Sequence, residues 1–141
     1  MPEATIKWVE GMKFVGYGDS RHALVMDAGE TSGGANTGIR PAELLLVAVG
    51  GCTGIDVISI LNKMRIHIDS LEIRVSGEWS PEHPKYWSRI ALKYIVTGKD
   101  VSEEKVKKAI ELSQEKYCSV AETFRRNVAV SHTYEIREEK P

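Results

Sequence analysis

Two cysteines stand in settings that invite chemistry. Cys52 follows two glycines in GGCTGIDVISIL, residues 50 to 61, and glycines beside a sulfur leave room for a substrate or a second backbone. Cys118 falls just beside the apolar stripe of a later helical segment, in EKYCSVAETF. A cysteine attacks as its thiolate, which needs nearby positive charge, a hydrogen-bond donor or a helix N-terminus. Neither segment supplies one from its own residues. Asp56, one turn beyond Cys52 on a continuous helix, opposes ionisation of that thiol unless it is paired elsewhere. Glu43 lies nine residues before Cys52. At roughly 100° per residue it faces the opposite side of a straight helix. The two therefore work together only if the glycines bend the helix or if they come from different chains. Each cysteine taken alone is more often a small buried hydrophobe.

Other residue types offer less. His22, His67, His83 and His132 lie in four separate segments without ligand spacing, and nothing resembles CxxC or HExxH, so no metal site is expected. Lys7, Lys13 and Arg21 read as solvated strand residues, and Tyr86, Trp87 and Tyr94 as sheet packing, with Trp79 and Trp87 able to line a pocket. The glycines of 33 to 38 lack the strand and helix context of a phosphate loop.

The elements that must position the cysteines follow from periodicity. Ile6 and Trp8, then Phe14, Val15 and Tyr17, then HALVMD from His22 to Asp27 alternate as a three-stranded meander. AGETSGGANTGIR, residues 28 to 40, is a loop long enough to be mobile or functional. Pro41 suits a first helical turn and Glu43 its positive end. The segment from Glu43 to Met64 is apolar almost all round, as in a helix buried on most faces. Gly50, Gly51 and Gly54 inside it imply a kink, a break or close approach of another backbone. Leu71, Ile73 and Val75 alternate with Glu72 and Arg74, and Ile90, Leu92, Tyr94 and Val96 with Arg89 and Lys93, giving a long hairpin across SPEHPK. Ser102 caps a helix whose stripe, including Val106, Ile110, Ser113 and Tyr117, runs through Cys118. Val128, Val130, His132, Tyr134 and Ile136 form a last strand before the tail REEKP. The order βββ-α-ββ-α-β predicts an α+β fold with antiparallel sheet, as one domain spanning 1–141.

Composition bounds the function. The 141 residues carry 19 basic and 20 acidic groups mixed along the chain, which argues against capture of nucleic acid or an anionic membrane. MPEATIKWVEG has no signal-peptide core, and no uninterrupted apolar run is expected to span a bilayer, so a cytoplasmic location is expected. Two cysteines 66 positions apart make no disulfide framework, and a pairing between them would be a redox event.

RPAELLLVAVGGCTGIDV resembles a helix of the OsmC/Ohr family of thiol peroxidases, with Pro41, Glu43, Leu44 and Leu45 ahead of Cys52. EKYCSVAETF is similar to the family's second cysteine motif, and KWVEGMKFVG with LSQEKYCSVA is closest to its YhfA-like branch. The resemblance covers essentially the whole chain. It implies an intertwined homodimer with two long central helices between sheets. Each site then unites Cys52 as peroxidatic thiol and Cys118 as resolving thiol with Glu43 of the other chain. It also implies a small hydrophobic hydroperoxide as substrate, an external dithiol as reductant, and no cofactor. In peroxidase members an arginine stands where this chain has Ser32. Residues 28 to 39 hold no arginine, and Arg40 and Arg21 are the nearest substitutes. A proline common after the resolving cysteine is replaced by Ser119. A dimeric module that binds a small hydrophobic ligand in an interface cleft, without turnover, is the alternative.

Overall fold

The computed structural model describes residues 1–139, which fall into two compact units, residues 1 to 45 and from 46 onward. In the first unit β1 (Ala4–Glu10), β2 (Lys13–Gly18) and β3 (Leu24–Met26) form the expected antiparallel meander, in that order. The loop that follows is not loose. Residues Glu30–Ser32 make one tight helical turn, and Ile39 returns to bridge Met26. The carboxylate of Asp27 accepts from the backbone N–H groups of Ala28, Ala35 and Thr37 at 2.8, 3.3 and 3.0 Å, and from the Thr37 hydroxyl at 2.7 Å.

Helix α1 (Pro41–Lys63) opens where Pro41 and Glu43 place it, the Glu43 carboxylate accepting the backbone N–H of Arg40 at 3.1 Å. It is unbroken. Val49, Thr53, Val57 and Leu61, one turn apart, form its buried face in the second unit. The glycines make room at two positions, for side chains of the neighbouring strand and not for another backbone. A Cβ on Gly50 would meet Val75 at 3.0 Å and one on Gly54 would meet Ile73 at 3.2 Å, while Gly51 faces open space. The helix is also less buried than its composition led one to expect, since Val47, Ile55 and Ile58 are exposed. By length and composition alone this helix, which contains an 18-residue window of mean hydropathy 2.2, is long and apolar enough to cross a membrane, although Glu43 and Asp56 interrupt its apolar run.

The second unit holds a sheet ordered β4 (Ser70–Trp79), β5 (Trp87–Gly98), β6 (Ala129–Glu138). The hairpin β4–β5 pairs antiparallel as expected, with Ile73 opposite Tyr94 and Val75 opposite Leu92. The third strand corrects the all-antiparallel reading, because β6 runs parallel to β5. Its reason lies in the connection: helices, not a turn, carry the chain from β5 to β6, and a crossover returns the strand in the same direction. The second helix is also not continuous through Cys118. α2 (Glu103–Leu112), capped by Ser102, passes into a π-helical turn (Ser113–Tyr117), and α3 (Ser119–Arg125) starts afresh. β6 takes in Arg137 and Glu138 of the charged tail; residues 140 and 141 lie outside the described residues. Val49, Val57, Leu61, Ile90, Leu92, Val96, Val106 and Ile110 form the core.

Candidate active site

Cys52 comes from the middle of α1, between the glycines and the buried Thr53, and is half-buried. Cys118 comes from the junction where the π-helical turn ends. Its N–H reaches back five residues to the Ser113 carbonyl at 2.8 Å, and its extended backbone then makes it the N-cap of α3. Such π turns recur at functional sites because the widened turn re-aims a side chain. Here the side chain is a sulfur, buried to 2% exposure, that accepts the Ala121 N–H at 3.4 Å.

The two sulfurs and a carboxylate oxygen of Asp56 all lie within 4.8 Å of one another, and both thiols are free. Burial pushes the Cys118 thiol up to about 11, against the Ala121 N–H, and the neighbouring Cys52 and Asp56 push the same way. Cys118 is therefore a neutral thiol at physiological pH, next to a more accessible partner. Ser119, noted in the sequence only as a missing proline, brings its hydroxyl to 3.9 Å from the Cys52 sulfur.

Among the described residues Asp56 is indeed paired elsewhere, by a hydroxyl and not by a cation. Ser113 donates to it at 2.9 Å. Behind Ser113 lies a buried polar cluster that periodicity did not reveal as a unit. Thr53 Oγ1 is 2.7 Å from Ser113 Oγ and 2.6 Å from the Tyr94 hydroxyl, and Gln114 Nε2 donates to that hydroxyl at 2.7 Å. Arg125 donates to the Gln114 carbonyl at 2.6 Å and to its side-chain oxygen at 3.3 Å, which fixes the amide orientation. Burial raises the Tyr94 phenol above its ordinary value, so it stays a donor. Among the described residues no buried side-chain polar atom lacks a partner. Polar Thr53 on an apolar helix face, and Ser113 and Gln114 on a buried stripe, were the available signals.

Glu43 and Arg40 belong to the first unit. There an apolar cleft of about 710 Å³ is walled by Ile6, Met12, Phe14 and Met26, and Ser32 and Arg40 also line it. Arg40 thus stands in the cleft that Ser32 enters, its Nη1 donating to the Gly38 carbonyl at 3.0 Å. Arg21 sits in a turn outside that lining, with φ of 60°. The four histidines do not converge; among the described residues the group of potential ligands is Cys52, Asp56 and Cys118.

The family model for OsmC-like protein matches residues 33–133. The chain belongs to the OsmC-like family. Protein YhfA of Escherichia coli K12 is 41% identical over 137 residues, covering 95% of this chain and 97% of that protein, in keeping with the resemblance to the YhfA-like branch. Among solved OsmC-like folds, a hypothetical protein from Aquifex aeolicus VF5 superposes with a TM-score of 0.85 at 28% identity, over 99% of this chain and 98% of its own. The organic hydroperoxide resistance protein OsmC from Legionella pneumophila superposes at 0.71 over 96% of each chain. At 14% identity that likeness is one of fold.

Proposed function

We propose that the chain is a thiol-dependent peroxidase that reduces organic hydroperoxides, with Cys52 as the attacking thiol and Cys118 as the resolving one. The observation that carries this reading is an accessible sulfur set within 4.8 Å of a buried one. The Cys52 thiolate attacks the terminal peroxide oxygen, the O–O bond breaks, and the alkoxide takes a proton and leaves as an alcohol. Cys52, oxidised by two electrons, is then a sulfenic acid. The Cys118 sulfur attacks it and the S–O bond breaks. Hydroxide leaves with the thiol's proton as water, and a disulfide remains. An external dithiol reduces that bond by exchange. Because burial keeps Cys118 protonated, it does not compete for the peroxide. The fold shared with a protein called an organic hydroperoxide resistance protein supports the substrate class.

The working form in this reading is a homodimer. Ile6 at 56%, Trp8 at 66% and Ile55 at 73% exposure are apolar surface of the kind a second copy covers. Each site then adds Glu43 of one copy, with Arg40 beside it as the source of positive charge, to the cysteine pair of the other.

Single-turnover reaction of the fully reduced protein with one equivalent of cumene hydroperoxide tests the cycle. Loss of two thiols per chain is expected, of one in Cys118→Ser and of none in Cys52→Ser. Thiols that survive at the rate of free cysteine sink the proposal. The apolar cleft around Arg40 favours the second reading, a dimeric module binding a small hydrophobic ligand, and that reading gains if the thiols survive while such a ligand binds.

A further inference from the structure

We infer that the reduced cysteine pair and Asp56 form a zinc(II) site, one ion per chain, occupied as an alternative to the disulfide. Two sulfurs and one carboxylate oxygen lie within 4.8 Å of one another, drawn from α1 and from the π turn that ends at Cys118. Zinc bonds of about 2.3 Å to sulfur and about 2.1 Å to oxygen place tetrahedral ligands roughly 3.5 to 3.8 Å apart. The observed triangle closes to that size by side-chain movements on the order of 1 Å. The donor set suits zinc: thiolates reject hard cations such as magnesium and calcium, and a carboxylate as third ligand is foreign to copper(I). The Ser119 hydroxyl, 3.9 Å from the Cys52 sulfur, or a water beside it, is placed to fill the fourth position.

Charge points the same way. Among the described residues no arginine, lysine or histidine forms an ion pair with Asp56. A pair of thiolates beside this carboxylate would hold three negative charges with no internal cation against them. Zinc supplies positive charge that the described residues of the same chain do not pair with this carboxylate, and with two thiolates and Asp56 it leaves the centre at −1. The carboxylate is already held in place: Ser113 donates to Asp56 and is itself held by Thr53, the outer support that orients a ligating group. On binding, each thiol releases its proton to solvent as its sulfur takes the metal, and no electron moves. When a disulfide forms, both sulfurs lose the lone pair and charge that held the ion, so oxidation expels it.

The inference needs the two sulfurs to be neighbours but does not need peroxide turnover. The test titrates zinc into the full-length, fully reduced, metal-stripped chain against a chromophoric chelator, with cobalt(II) as a spectroscopic stand-in. The expected result is one zinc per chain and, for cobalt, sulfur-to-metal charge-transfer absorption with tetrahedral visible bands. Cys52→Ser and Cys118→Ser should each cost at least about a hundredfold in affinity, and Asp56→Asn about tenfold or more. Oxidised wild-type chain should release its zinc and recover it on reduction, an arm that needs no variant to fold. Substoichiometric binding, no sulfur-to-cobalt band, or binding indifferent to oxidation overturns the site. Zinc binding without peroxide turnover overturns the peroxidase and leaves the site standing; turnover without zinc binding does the reverse.

Discussion

In the first unit one side chain is buried among the described residues, and it is a carboxylate, Asp27, while Ile6, Trp8, Met12 and Leu24 stand exposed. In the second unit Val57, Ile90, Tyr94 and Val106 are wholly enclosed, and the polar groups among them are mutually bonded. The first is organised by hydrogen bonds with these apolar side chains left outside; the second is organised by burial, although Val47, Ile55 and Ile58 of α1 are exposed there too. A sheet needs its apolar face packed against something to be stable. The first unit therefore leaves apolar surface uncovered, and the second encloses a core beside the cysteine pair.

Four measurements break or sharpen that contrast. The largest effect is expected in the second unit. Leu61→Ala, at 1% exposure, should cost about 2–5 kcal/mol in denaturant unfolding. The equivalent change at Trp8, already 66% exposed, should cost under about 1 kcal/mol at dilutions where chains are separate, because little burial is lost there. An equal cost at both would erase the contrast. Next, Tyr94→Phe removes a donor from the buried cluster and leaves Thr53 and Gln114 short of a partner, for a loss of about 1–3 kcal/mol. Third, Trp8→Glu or Ile6→Glu should lower the sedimentation-determined mass at micromolar concentration while leaving the far-ultraviolet spectrum unchanged. A mass that stays the same would count against the homodimer proposed above.

The smallest effect concerns pH. The Thr37 hydroxyl, with backbone donors, holds the Asp27 carboxyl at about 2, below its ordinary 3.8. A depressed carboxyl stabilises the fold fully above its ordinary value, and that stabilisation fades as pH falls from there through about 2. Amide exchange at Ala35 and Thr37 should therefore accelerate across that window while β5 stays protected. Loop amides that open at pH 5 would show that something other than Asp27 pins them.

The strands of the second unit were legible because half-buried β4 and β5 alternate residue by residue, and α1 because Pro41 and Glu43 mark its start. The direction of β6 was not, since alternation looks the same in a parallel and an antiparallel strand. The break before Cys118 was hidden too: Val106, Ser113 and Tyr117 keep helical spacing whether or not one turn widens. The proximity of Cys52 and Cys118 was visible through resemblance and not through spacing. The cluster behind them was invisible, as Thr53 finds Tyr94, Ser113 and Gln114 at separations of 41, 60 and 61 residues.

The hydroxyls of that cluster have a consequence in common. Tyr94, Thr53 and Ser113 each own a single hydrogen. With Ser113 giving its own to Asp56, Thr53 must give to Ser113 and Tyr94 to Thr53, while Gln114 fills the acceptor of Tyr94. The row has one orientation, and the anion at its end sets it. The side chain of a core strand, enclosed from solvent, is thereby tied through two further hydroxyls to the carboxylate beside the cysteine pair.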